Sequence, residues 1–161
     1  MPYHYANEYT KEHMARAVGR SLPISWKQSV EICNAVRKRS VARAKTILKD
    51  TIAMRKPIKY TRYTHGAGHK FGIGSGKFPQ KAAEHILTVI EHGEANAQFK
   101  GLNTGGLVIK AISVMNAGNV WRYGRHRRRK MKNSHVEVIL EEGKKAEPAK
   151  KDTKAAPEAP K

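Results

Sequence analysis

Residues 107–141 contain two apolar runs that are separated by a long polar stretch. The first run is rich in valine and isoleucine, which favour strands. The second run alternates, with Val136, Val138 and Leu140 on one face and glutamates such as Glu137 on the other. This alternation is typical of a strand that buries one face. Because strands that are neighbours in sequence usually pair antiparallel, we predict a long β-hairpin with a polar tip.

Apolar residues spaced three and four positions apart predict three helices before this hairpin. The predicted helices span residues 25–39, 40–54 and 78–99. Ser25 and Gln28 have the spacing of a capping box at the start of the first helix, and Ser40 suits the N-cap of the second. Cys33 lies on the apolar stripe of the first helix, so we predict a small core residue rather than a nucleophile. Gly93 is expected to weaken the middle of the third helix.

Three segments lack helical periodicity. Residues 1–11 contain three tyrosines and are predicted to form an extended arm, whose rings could stack on bases or dock on the body. Residues 14–25 are predicted to form a short edge strand, where Pro23 is tolerated. The glycine-rich insert 57–78 mixes cations and aromatic rings, so we predict an irregular loop that orders on RNA.

Composition indicates one small basic domain followed by a tail. The 161-residue chain has room for a single domain, which we place at residues 1–142. The formal net charge is +19, and the tail 143–161, with six lysines and three acids, supplies only +3 of it. The tail is rich in Lys, Ala, Glu and Pro and is predicted to be disordered. A body this basic repels itself, which indicates a polyanionic partner such as nucleic acid.

The tip of the predicted hairpin carries seven cations and no acid. Buried, unpaired guanidinium groups are costly, so we predict that the tip protrudes into nucleic acid rather than packing in a core. The predicted contacts of the tip are Arg122, Arg125, Arg127, Arg128, Arg129, Lys130 and Lys132. Trp121 and Tyr123 could stack on unpaired bases or brace the arm across its strands. Outside the tip, the predicted phosphate contacts are Arg43, Lys45, Arg62, Lys70 and Lys77.

Other binding chemistries fit the sequence poorly. The segment 72–77 looks like a nucleotide-binding loop, but Phe71 stands where that motif needs glycine and Phe78 where it needs serine or threonine. His65 and His69 have a metal-compatible spacing without cysteine or acidic partners, so no metal or cofactor is predicted. A helix-turn-helix module is disfavoured because no glycine turn joins the first two helices.

Enzymes and membrane proteins are also disfavoured. The acidic residues do not cluster as a metal-dependent nuclease requires, so we expect no enzymatic activity. No apolar run approaches the roughly 20 residues that span a bilayer, and no membrane partner is predicted. A single cysteine excludes a disulfide framework, and the N-terminus lacks a signal pattern, so we expect a cytoplasmic protein.

Several motifs together resemble the L-twenty-two family of large-subunit ribosomal proteins in its archaeal and eukaryotic-cytosolic form. The motifs are Ser25-Trp-Lys, Ala44-Lys-x-Ile-Leu, Lys56-Pro-Ile, Phe78-Pro-Gln-Lys-Ala-Ala, Glu94-Ala-Asn-Ala, Lys100-Gly-Leu and His135-Val-Glu-Val-Ile-Leu-Glu-Glu. Jointly they are specific, and they run through most of the chain. The segment 60–78 is similar to the archaeal-type insertion that bacterial members lack.

This resemblance implies an α+β fold in which three helices pack on a small three-stranded antiparallel sheet with a protruding hairpin. It implies an rRNA-binding protein of the large subunit, with neighbouring ribosomal proteins, among them L-four, and the nascent peptide as partners. The hairpin would help to line the peptide exit tunnel. The tip here is shorter than in the family and keeps only Gly124-Arg125 of its usual pattern, so a plain rRNA anchor stays open. The alternative function is a free-standing RNA- or DNA-binding protein outside the ribosome.

Overall fold

A computed structural model describes residues 4–143 of the chain. The predictions for Tyr3 and for the tail from residue 144 onward lie outside the described residues. In chain order, the elements are β1 (Met14–Leu22), α1 (Trp26–Val36), α2 (Val41–Ile52), β2 (Ile58–Lys59), β3 (Gly68–Lys70), β4 (Gly74–Lys77), α3 (Gln80–Phe99), β5 (Leu107–Asn116) and β6 (Ser134–Glu142). Single 3₁₀ turns cover Thr104–Gly106 and Gly124–His126. The predicted α+β class is confirmed.

The main sheet is antiparallel throughout, with strand order β1-β6-β5. β5 and β6 pair from Leu107 opposite Glu142 to Asn116 opposite Ser134, which confirms the predicted hairpin. β1 lies at one edge of the sheet, as predicted, and ends at Leu22, directly before Pro23. Helices α1 and α3 pack on one face of this sheet, and α2 packs against α3. Large aliphatic side chains from both layers, such as Ile86, fill the core.

Helix α3 approaches the sheet closely at Gly93. A Cβ atom at this position would lie 3.1 Å from Cδ1 of Leu140 and 3.6 Å from Cβ of Ala17. The contact between helix and sheet therefore needs a residue without a side chain. Glycine lowers the stability of the helix, but the closer packing of α3 on the sheet offsets this loss. Gly93 therefore contributes to core packing as well as weakening the helix.

The two predicted helix caps have different outcomes. Ser40 caps α2, since its hydroxyl accepts a hydrogen bond from the Arg43 amide at 3.4 Å. The capping box predicted for α1 is wrong, because the Ser25 side chain makes no capping bond. Instead, the Ser25 carbonyl accepts bonds from the amide and the hydroxyl of buried Ser29. A buried hydroxyl needs a partner, and Ser29 finds it one turn earlier.

Cys33 is buried in the core, which confirms its predicted role. Burial raises the pKa of its thiol to about 12, although the nearby Arg37 acts in the opposite direction. The thiolate that nucleophilic or metal-binding chemistry needs is therefore disfavoured at neutral pH.

The outer face of β6 is covered at its centre, contrary to the one-sided burial predicted from its alternation. Glu137 points away from the helices, as predicted, but is fully buried. Its carboxylate accepts hydrogen bonds from the Ala6 amide at 3.2 Å and the Ser113 hydroxyl at 3.3 Å. The N-terminal arm thus crosses this face, where sequence alternation alone predicts solvent.

The tyrosines of the N-terminal arm dock on the body. The guanidinium carbon of Arg16 lies 4.6 Å from the ring centroid of Tyr5 and 4.5 Å from that of Tyr9. The Lys100 ammonium also donates to the Tyr9 hydroxyl. Of the two alternatives for these two rings, the structure supports docking through cation–π contacts.

The glycine-rich insert forms a second antiparallel sheet with strand order β2-β4-β3, so the prediction of an irregular loop is wrong. Its strands have two to four residues, too few for a period to show in the sequence. Ile58 and Tyr60 are buried beneath it and join it to the main core. No helix among the described residues is both long and apolar enough to cross a membrane.

Candidate nucleic-acid interface

The arm between β5 and β6 remains a hairpin beyond the ends of these strands. Backbone hydrogen bonds join the Ala117 amide to the Asn133 carbonyl at 3.1 Å and the Met131 amide to the Val120 carbonyl at 2.7 Å. Nearer the tip, the Arg122 amide donates to the carbonyl of Arg129 at 2.8 Å. The arm is less regular than the predicted long β-hairpin, because only a single β-bridge continues the ladder. These bonds nevertheless hold its two sides together.

Every residue from 118 to 130 is exposed to solvent. The seven predicted cations of the arm therefore all lie in this exposed segment or, in the case of Lys132, just beyond it. The sequence contains no acidic residue between Glu94 and Glu137. Within residues 4–143, the ion pairs Lys45–Glu94 and Lys110–Glu141 do not involve the arm. A dense positive potential thus projects from the body and fits a polyanion.

The two aromatic residues of the arm differ in their surroundings. Trp121 forms a β-bridge with Lys130, whose ammonium lies 4.8 Å from the indole centroid. Trp121 therefore braces the arm, which is one of the two predicted alternatives, while more than half of its surface stays exposed. Tyr123 is 90% exposed at the tip. Its ring is the most exposed aromatic group of the arm and remains a candidate for base stacking.

The basic surface continues from the arm onto helix α1. An open cleft of about 230 Å³ lies at the base of the arm, beside the first turn of α1. Lys27 and Lys132 line it together with the Trp26 ring and the side chains of Asn116, Asn119 and Asn133. Cations, amides and an aromatic ring are the groups that contact phosphates and bases.

A single buried carboxylate fixes the second sheet to α1. Glu31 accepts hydrogen bonds from the amides of Tyr63 at 2.7 Å, Arg62 at 2.8 Å and Thr61 at 3.2 Å. The Thr61 hydroxyl donates to the same group at 3.3 Å. Burial alone would raise the pKa of Glu31, but these hydrogen bonds together hold the pKa below its usual value. Sequence reasoning missed this residue, whose one signal is a lone acid beside the apolar stripe of α1.

The predicted cations outside the arm do not form one cluster. Arg62 is exposed, with its guanidinium carbon 5.5 Å from the Tyr63 ring centroid. Lys70 is half-buried, with its ammonium 5.5 Å from the centroid of Phe78. Lys70 lies on β3 and Arg62 in the segment that joins β2 to β3, and both remain candidates for phosphate contact.

The other three cations have different settings. Lys77 donates to the His65 carbonyl at 3.3 Å and braces the second sheet. Arg43 is exposed on α2, where it is free to meet a phosphate. Lys45 pairs with Glu94 and joins α2 to α3, so we leave it out of the proposed interface.

No group of three or more His, Cys, Asp or Glu residues within the described range 4–143 could hold a metal ion. His65 is exposed in the turn before β3, and His69 is exposed on β3.

Comparison with known proteins identifies the family. The family model for ribosomal protein L22p/L17e matches residues 17–141, which include all three helices, the second sheet and the arm. The chain belongs to the ribosomal protein L22p/L17e family. This assignment agrees with the resemblance expected from the sequence motifs.

Relatives of this L22p/L17e chain include the following three proteins of archaea. The large ribosomal subunit protein uL22 of Methanocaldococcus jannaschii is 40% identical over 146 residues, which cover 86% of this chain and 94% of the relative. The uL22 proteins of Archaeoglobus fulgidus and Staphylothermus marinus are each 35% identical, covering 79% and 87% of this chain and 87% and 97% of the relatives.

Proposed function

We propose that this L22p/L17e protein is a structural component of the large ribosomal subunit that binds large-subunit rRNA and stabilises its folded form. The observation that carries the proposal is the exposed arm, whose cations have no carboxylate partner among the described residues. Arginine guanidinium groups form bidentate hydrogen bonds with phosphates, and each phosphate that is neutralised releases bound counterions. The relatives named as large-subunit proteins share most of the chain length and support the same role.

In this proposal the arm also lines part of the peptide exit tunnel, beside neighbouring ribosomal proteins and the nascent peptide. A slim hairpin without a core of its own suits a narrow, RNA-walled passage. The exposed ring of Tyr123 and the surrounding arginines would form its surface there. The protein would work within cytoplasmic ribosomes, with no catalytic step and no cofactor. Arg43, Arg62 and Lys70 add phosphate contacts from the body.

Salt-dependent binding to large-subunit rRNA transcribed in vitro tests the proposal. Replacing Arg127, Arg128 and Arg129 with Ala removes up to three phosphate contacts. The slope of log K against log salt should then become shallower by about 2 to 3, because each contact contributes about 0.7 to 0.9. The folded body should keep its thermal unfolding midpoint, since these side chains are exposed.

A charge-matched control removes three exposed cations near the end of α2, namely Lys49, Arg55 and Lys56. We expect this variant to lose less affinity than the arm variant. Equal losses from the two triple variants would contradict a special role for the arm. Sedimentation with large subunits in high salt distinguishes the proposal from the alternative of a free-standing RNA- or DNA-binding protein. An integral component should stay with the subunits, whereas a free-standing protein should dissociate from them.

A further inference from the structure

The hairpin formed by β3 and β4 ends in a phenylalanine that is completely exposed. The ring of Phe71 has a relative exposure of 101%. Leaving such a side chain in water forgoes the favourable free energy of burying it. Phe99, at the end of α3, has a similar exposure of 93% and provides a natural comparison. Phe71 differs from it in its setting, at the apex of a projecting turn.

The turn that presents Phe71 is well defined. The Ile73 amide donates to the Lys70 carbonyl at 3.2 Å, which closes a four-residue turn. Gly72 has a φ of 77°, the left-handed conformation that the third position of a type II turn requires. Phe71 occupies the second position, from which its side chain projects outward. The turn thus fixes the backbone position from which the exposed ring projects.

The hairpin below the turn is thin and anchored. Gly68 pairs with Gly76, and Lys70 pairs with Gly74, so few bulky side chains widen it. At its base, Tyr60 is buried and the Glu31 carboxylate accepts the amides of residues 61–63. Phe71 thus lies at the end of a narrow hairpin that is attached to the core.

The surroundings of the hairpin are cationic. The sequence from residue 51 to residue 83 contains seven lysines and arginines and no acid. Lys70 directly precedes Phe71, His69 is exposed on β3, and Arg62 is exposed in the segment that joins β2 to β3. An exposed aromatic ring in a cationic segment without acids is the combination with which proteins bind unpaired nucleic acid.

We propose that Phe71 stacks on an unpaired base of the large-subunit rRNA, at a second RNA site that is separate from the arm. The ring supplies the stacking face, and the cations of this segment, among them the adjacent Lys70, attract the phosphates of the strand that carries the base. The inference rests on the proposed rRNA-binding function and adds the base-stacking site to it. The site is preformed, so the insert does not need RNA in order to fold.

The first test compares variants at position 71 in binding to large-subunit rRNA transcribed in vitro. Phe71→Ala should weaken binding about tenfold, in line with the roughly 1–3 kcal/mol that stacking contributes per base. The slope of the salt dependence should stay unchanged, because no phosphate contact is lost. The Phe71→Trp variant should bind as tightly as the unaltered protein. The Phe71→Leu variant should bind as weakly as Phe71→Ala, because leucine is apolar but cannot stack. Phe99→Ala is the matched control and should bind as the unaltered protein does.

Unaltered affinity of Phe71→Ala would overturn the stacking site, and so would full restoration by Phe71→Leu. Either result leaves the proposed function standing as long as the arm variant still loses salt-dependent affinity. A photoreactive side chain at position 71 identifies the molecule that this residue contacts in assembled subunits. Phe71→p-benzoylphenylalanine should crosslink to rRNA, whereas crosslinking to a neighbouring protein alone would overturn the inference.

Discussion

Glu31 shows how much one side chain can organise in a molecule with few acids. Its carboxylate accepts four hydrogen bonds from residues 61–63 and ties the second sheet to α1. Hydrogen bonds to a buried charged group are stronger than neutral ones, and their loss leaves several donors without a partner. The geometry of the hairpin that carries Phe71 therefore depends on a residue that contacts no ligand.

Replacing Glu31 with Gln should destabilise the free protein at pH 7 by about 2 kcal/mol, because an amide can accept only part of these bonds. Its folded pKa is held below the usual 4.5, so the stabilisation is present above about pH 4.5 and is lost as the pH falls through the folded pKa. Chemical unfolding at several pH values measures both effects. The Gln variant should lose less stability in acid than the unaltered protein, and parallel pH profiles would contradict the prediction.

Glu137 shows what a pattern of apolar and polar residues cannot predict about a single side chain. Alternation along β6 correctly predicts that its side chain faces away from the helices. It cannot predict burial, because the cover comes from the N-terminal arm, and the amide that bonds it belongs to Ala6. Glu31 was missed for the same reason, since its partners lie about 30 positions away. Both acids are held by contacts that no local window of sequence contains.

At the scale of elements, long periodic segments are predictable and short glycine-rich ones are not. The hairpin of β5 and β6, the three helices and the edge strand β1 all follow from spacing. The second sheet does not, because its strands are two to four residues long and contain three glycines. Its stability comes from anchoring to α1 and from buried Tyr60, which are tertiary effects.

The close approach of α3 to the sheet gives a prediction at this scale. Gly93→Ala should destabilise the protein by about 1–2 kcal/mol, because the new methyl group must displace the buried side chain of Leu140. Without this contact, alanine would instead stabilise the helix by up to about 1 kcal/mol. Denaturant unfolding of Gly93→Ala, Leu140→Val and the double variant measures the coupling between the two positions. Additive effects would argue against the contact as the cause.

At the scale of the whole molecule, charge is the dominant property. A net charge of +19 on 161 residues means that the folded protein repels itself until an anion is near. The candidate interface is correspondingly spread over the arm, the first turn of α1 and the second sheet, rather than gathered in one cavity. Composition predicts the polyanionic partner, while the distribution of cations over separate surfaces emerges only from the fold.

Salt should therefore act in opposite directions on folding and on binding. Raising NaCl from about 20 to 500 mM shortens the screening length several-fold, so the thermal midpoint of the free protein should rise by a few degrees. The affinity for rRNA should fall over the same range. Circular dichroism melts and filter binding in matched buffers provide the two measurements. A midpoint that stays constant or falls would show that self-repulsion is a minor term.

The strand order β1-β6-β5 has a consequence for biosynthesis. The central strand is the last of the sheet to be translated, and β1 and β5 both depend on it for their ladder partners. A nascent chain can form its helices as they emerge, but the sheet cannot assemble until residue 142 has been released. Until then β1 and β5 lack their strand partner, and β5 is followed by the highly basic arm. Newly made copies should thus require shielding, by a chaperone or by rRNA itself, until β6 has left the ribosome.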